Sequence, residues 1–179
     1  KSTKARVSDP EVVEAIETMR KECIAWEKEH LYELSAAMAA PQLGINKRVI
    51  IIRDDLDDKD NQHFTALLNP EIIKTDGKTD SDYEGCLSIP YLYAKVPRKD
   101  KVRVKAELED GTPVRIKAAG FLARTLQHEI DHLEGVLFID HVKDDPEAFA
   151  RMNDKGDLVP IDYEKEVKNN PELWPDDED

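Results

Sequence analysis

The stretch QHEIDHLEG, residues 127–135, decides how the rest of this chain is read. Phe121, Leu122, Leu126, Ile130 and Leu133 recur at helical spacing, and Gly135 stands where a left-handed cap belongs. Residues 121–134 are therefore predicted to form a helix. On it, His128, Glu129 and His132 spell H-E-x-x-H. Residues four apart on a helix differ by about 40° in heading, so both imidazoles point the same way. Glu129 lies about 100° from His128, placed to take a proton from metal-bound water rather than to bind the metal. Two chance histidines on a solvated helix are the bland alternative. Leu126, Ile130 and Leu133 predict burial instead, and two buried imidazoles that close together need a reason.

A catalytic metal centre usually takes three protein ligands and keeps one position open. Zinc peptidases of the H-E-x-x-H type draw the third from a downstream Glu or His. Downstream here are Glu134, Asp140 and His141. Glu134 is two residues past His132 and points off the ligand face, whereas spacing leaves His141 open. Upstream stands Cys86 in EGCLS, between Gly85 and a Ser88-Ile89-Pro90 stop. A lone cysteine there would ordinarily be a small buried hydrophobe. Beside H-E-x-x-H it becomes a ligand candidate, because a thiolate with two imidazoles is a recognised catalytic set.

The 179 residues fit one domain, 1–179, with an N-terminal helix over about 1–30 and a polar C-terminal extension over about 144–179. Lys and Arg number 26 against 39 Asp and Glu, a net charge of −13, which argues against nucleic acid as a partner. Much of the acidity falls in DDLDDKD (54–60) and PELWPDDED (171–179), both read as solvated loop or tail. Two cysteines, Cys23 and Cys86, make no disulfide framework, and no signal peptide is visible, which predicts a reducing compartment. The chain opens on Lys rather than Met, which fits a trimmed start. No apolar run approaches the roughly 20 residues that span a bilayer, so no membrane partner is expected.

Ser8-Asp9-Pro10 starts a helix that carries Val12, Val13, Ile16, Met19, Ile24 and Trp26, with Cys23 as a buried member. Residues 48–52 (RVIII) read as a strand. Residues 66–73 (ALLNPEII) read as another, interrupted at Asn69-Pro70 and closed by Asp76-Gly77. KVRVKAEL (101–108) and PVRIKAA (113–119) alternate around Asp110-Gly111 and predict an antiparallel hairpin, and VLFID (136–140) predicts a short strand. From Asp144 the chain turns polar apart from LVPI at 158–161. The strands come in antiparallel runs between two helices, so the class is α+β.

SAAMAAPQLGI (35–45), EGCLS (84–88) and QHEIDH (127–132) follow one another in an order and spacing that resemble the peptide deformylases, over about 34–142. The resemblance implies antiparallel sheets packed around the HEIDH helix. It implies a hydrolase that removes the formyl group from the N-terminal formyl-methionine of new polypeptides. Cys86, His128 and His132 would hold one divalent metal, Fe²⁺ in the cell with Zn²⁺ or Ni²⁺ taking its place in preparations. Glu129 would move the proton, and Gln42 with the Leu87 N–H would receive the oxyanion. Glu84 and Arg98 would pair nearby, and Ala36, Ala37, Tyr83, Phe121 and Thr125 would meet the substrate. The partners implied are nascent formyl-methionyl peptides, met at the ribosome exit, and the place cytoplasm, or an organelle after removal of a targeting segment.

The first motif departs from the family. Gly-x-Gly-Leu is usual where Ser35-Ala36-Ala37-Met38 stands. Glycine serves positive φ or close approach, so Ser35 and Ala37 either hold ordinary φ or narrow the groove and weaken peptide binding. Two rivals remain: a zinc peptidase with a different third ligand, and a protein that binds N-termini without turnover.

Overall fold

Helix α1 (Pro10–Glu29) begins where its sequence signals place it. The Asp9 side chain accepts the Glu11 N–H at 3.1 Å, and Pro10 fills the first turn, where its missing N–H costs nothing. Val12, Ala15, Ile16, Met19 and Cys23 form its buried stripe. The structure is a computed structural model that describes residues 1–30, 33–58 and 60–173. It falls into two compact units: 1–80 with 98–136, and 81–97 with 137–179.

In the first unit, β1 (Ala37–Ala39) pairs antiparallel with β2 (Val49–Arg53), Met38 opposite Ile51. β2 pairs in turn with the start of β3 (Phe64–Cys86), Ile51 opposite Ala66. β4 (Ile89–Glu107) pairs through Lys101 to Glu107 with β5 (Pro113–Ala119), the predicted hairpin. Helix α2 (Gly120–Glu134) follows and ends on Gly135 at φ 76°, the left-handed cap. Its Ala123, Leu126, Ile130 and Leu133 share one core with Ile50, Ile52, Leu67, Val102 and Val104 of the strands. Antiparallel strands thus pack against the HEIDH helix, and the α+β class is borne out.

Three strand expectations are corrected. β3 neither breaks at Asn69-Pro70 nor closes at Gly77, but runs 23 residues to Cys86. Asn69 turns through φ 52° inside the strand, and its amide clasps both the N–H and the carbonyl of Ala5. Gly77 takes φ 74° there, and a β-carbon on it would lie 1.9 Å from Asp100 Oδ1, so the glycine bends the strand past a neighbour rather than ending it. Ile89 and Pro90 open β4 instead of stopping the chain. Residues 136–140 are no strand: Asp140 accepts the Leu137 N–H at 2.7 Å and winds Phe138–His141 into a 3₁₀ turn.

In the second unit, Leu92 to Ala94 of β4 pair with β6 (Phe149–Met152), which pairs with β7 (Leu158–Pro160). A π-helical turn, Glu164–Lys168, follows. Ala94, Val96, Phe138, Ile139, Phe149 and Val167 make this unit's own core. The segment after Asp144, polar in composition, thus supplies buried residues. Residues 174–179, most of the predicted acidic tail, lie outside the described residues, as does Lys59 of the acidic loop; the remainder of that loop is largely exposed. No helix among the described residues is long and apolar enough to cross a membrane.

Candidate active site

Helix α2 brings His128 and His132 one turn apart, with ring centroids 5.0 Å from each other at 75°. Both are buried, as is Glu129 between them. Gln127, the first residue of the motif, fixes this helix to β4. Its amide nitrogen donates to the Lys99 carbonyl at 2.8 Å and its oxygen accepts the Lys99 N–H. Asp131, one turn on, pairs with the buried guanidinium of Arg98. Sequence reasoning missed both residues, although their spacing of four inside QHEIDH marks a second functional face.

Cys86 ends β3 just before the Leu87-Ser88 turn and is half-buried. Its Sγ and one ring nitrogen from each of His128 and His132 all lie within 4.8 Å of one another. Among the described residues these three are the group of metal-ligating side chains that converges in this way. One soft thiolate and two imidazoles suit a first-row divalent cation such as iron, zinc or nickel. The downstream candidates are occupied elsewhere: Glu134 pairs with Arg48 and Lys1, and Asp140 caps the 3₁₀ turn. His141 is exposed.

Cys23 is the other cysteine, fully buried on α1. Burial first, then the negative charges of Glu129 and Glu27, push its thiol up to about 12, so it stays neutral. It behaves as the predicted small hydrophobe.

Gln42 lies in the 3₁₀ turn Ala40–Leu43, and its Oε1 accepts the Ala39 N–H at 2.8 Å. That bond fixes which way the amide faces and turns the NH₂ away from Ala39. Leu87 is half-buried in its turn, and Glu84 and Arg98 are both buried. Of the implied substrate contacts, Thr125 is buried with its hydroxyl on the Phe121 carbonyl, Ala36 and Ala37 are half-buried, and Tyr83 and Phe121 are exposed.

Of the two outcomes left open for the first motif, the structure shows ordinary φ. Ser35 and Ala37 both keep negative φ. Ser35 does not narrow a groove: it is buried, and its hydroxyl donates to the Cys23 carbonyl on α1. Ala37 packs against the core of the first unit. Both added carbons point into the protein.

A family model described as polypeptide deformylase matches residues 1–147. A peptide deformylase of Halothermothrix orenii is 53% identical over 105 residues, 59% of this chain and 65% of that relative. One of Thermomicrobium roseum is 48% identical over 110 residues, 60% of this chain and 62% of the relative. These matches cover just under two thirds of the curated relatives' length. Among solved structures, a peptide deformylase from Synechococcus elongatus in complex with actinonin superposes with a TM-score of 0.67 at 39% identity, over 78% of this chain and 70% of that one. A probable peptide deformylase from synechococcus phage S-SSM7 gives 0.69 at 34% identity, over 79% and 90%. With sequence and fold in agreement over most of its length, this chain belongs to the polypeptide deformylase family.

Proposed function

We propose that this chain is a metal-dependent hydrolase that removes the formyl group from the N-terminal formyl-methionine of new polypeptides, releasing formate. The observation that carries the reading is the convergence of Cys86, His128 and His132 within 4.8 Å, in a chain of this family. In this reading the three side chains hold one divalent cation, Fe²⁺ in the cell. When bound, such a cation lowers the pKa of a water and polarises the formyl oxygen.

The protein's own groups do the remaining work. Glu129, buried beside both imidazoles, takes the proton as water adds to the formyl carbon, and returns it to the departing amine. Gln42, with its oxygen tied to Ala39, turns its amide N–H groups toward the oxyanion, and the Leu87 N–H is the second donor. Removing one such donor typically costs about 3 kcal/mol of barrier. Asp131 holds Arg98, and we place Glu84 on the same guanidinium. The substrate adds to the open side of β1. Arg53 N–H donates to the Ala36 carbonyl, so by antiparallel alternation the N–H and C=O of Ala37 face away from β2. A peptide backbone can pair there as an added strand, with its methionine side chain among Ala36, Tyr83, Phe121 and Thr125.

The partners are then nascent formyl-methionyl chains, met near the ribosome exit in the compartment where they are made. The test is formate release from formyl-Met-Ala-Ser by protein loaded anaerobically with iron. Release that Cys86→Ala abolishes supports the reading. Peptide-bond cleavage that survives Cys86→Ala identifies a peptidase, and bound metal with no formate points to N-terminus binding without turnover.

A further inference from the structure

Arg53, the last residue of β2, has a fully buried side chain. Its Nε donates to the Ser35 carbonyl at 3.1 Å, one terminal nitrogen pairs with the Glu27 carboxylate on α1, and the other donates to the Asn61 carbonyl. The guanidinium carbon lies 4.8 Å over the Phe64 ring. The Arg53 backbone N–H holds the Ala36 carbonyl at 2.8 Å. From the opposite side, Ser35 gives its N–H to Glu27 Oε1 at 2.9 Å and its hydroxyl to the Cys23 carbonyl at 3.2 Å. Every polar group of Ser35 is thereby committed, and the peptides on both sides of Ala36 are gripped before β1 begins.

A buried Arg–Glu pair is a poor source of net stability, since desolvation offsets most of its attraction. What this pair does gain is geometry. Its bonds go to the main chain leading into β1, the first strand of the sheet, which pairs with β2 on one side and with no strand on the other among the described residues. An added strand binds through such an edge, and its affinity rises when the edge is ordered before it arrives. We infer that Glu27, Arg53 and Ser35 form a positioning cluster that presets the peptide-binding edge and so sets peptide affinity. This rests on the reading that β1 receives a formylated peptide. It assigns to Ser35 a favourable role where a glycine would leave the segment looser.

The experiment measures KM and kcat for a formyl-Met tripeptide, metal content, and tripeptide binding by calorimetry, in wild type and in Arg53→Met, Glu27→Gln and Ser35→Gly. The expected result is weaker binding and a KM raised about five- to tenfold in Arg53→Met, with kcat and metal content within about twofold of wild type, the signature of lost uniform binding. Glu27→Gln, which keeps an acceptor for the Ser35 N–H, should fall between. Ser35→Gly deletes one hydroxyl bond and should raise KM about two- to fourfold. Should Arg53→Met fail to fold, Ser35→Gly decides alone. Unchanged or tighter peptide binding in Ser35→Gly overturns the inference, as does a kcat that falls in step with metal content in Arg53→Met. A wild type that binds peptide but releases no formate defeats the proposed activity, while the calorimetric comparison still judges the cluster.

Discussion

Cys86 and Cys23 are the same side chain on different elements, a strand end and a helix, and differ in what surrounds them. Cys86 ends a strand beside two imidazoles, whereas Cys23 is sealed under α1, where burial and nearby carboxylates keep the thiol protonated. Cys86→Ser should therefore strip the protein of bound metal, and Cys23→Ser should leave metal content near wild type. Elemental analysis of the two variants checks this, and equal metal in wild type and Cys86→Ser would remove Cys86 from the ligand set. Glu129 stands beside the ligands in this reading. Glu129→Gln should keep the metal and lower kcat by roughly 10²–10⁴-fold, the usual worth of a positioned acid–base group. Formate release within tenfold of wild type would mean the proton goes elsewhere.

Helix α2 holds His128 and His132 in place through other side chains. Gln127 and Asp131 tie it to β4 and Arg98, and Glu134 ties its last turn to Arg48 and Lys1. Arg48 first, then Lys1, holds the Glu134 carboxyl below its ordinary value of 4.5. A depressed folded value contributes stability above the unfolded pKa, and that contribution is lost as pH falls through the folded value. Glu134→Gln should lower Tm at neutral pH and converge with wild type only as pH falls through the folded value, below 4.5. The side chain is 35% exposed, so the effect should stay under about 1 kcal/mol. Thermal melts of both proteins across pH 2 to 7 measure it, and a gap that does not narrow toward acid would assign it to lost packing instead. At the other helix, Asp9→Ala removes the cap of α1 and should cost about 1 kcal/mol in denaturant unfolding.

Across the molecule, burial is divided between two cores, and the family match ends at residue 147, just ahead of β6. Phe149 and Val167 lie beyond that point yet are buried with Ala94, Val96 and Phe138. The C-terminal segment is thus part of the folded structure in the second unit, the unit that carries Cys86. Phe149→Ala should cost about 3–5 kcal/mol, the usual cost of emptying a large buried ring site. Urea unfolding tests this, and a loss under about 1 kcal/mol would mark the segment as an appendage.

Local chemistry was enough to read both helices, the β4–β5 hairpin and the shared helix face of His128 and His132. A cap bonds within three residues, an amphipathic stripe repeats every turn, and H-E-x-x-H places two imidazoles by helix pitch alone. Such signals act over a few residues and survive in any context. The course of β3 was not legible, because Asn69 and Gly77 are turn residues locally and continue the strand only through Ala5 and Asp100, distant in sequence. The 3₁₀ turn at Phe138 likewise replaced a strand once Asp140 found the Leu137 N–H. Ser35 makes the same point at the proposed substrate edge. As a letter it left ordinary φ and a narrowed groove both open, and its direction was set by Cys23, Glu27 and Arg53, which reach it from α1 and β2. Residue identity supplies the chemistry a side chain can do, while the partners that folding brings from far along the chain settle where it points.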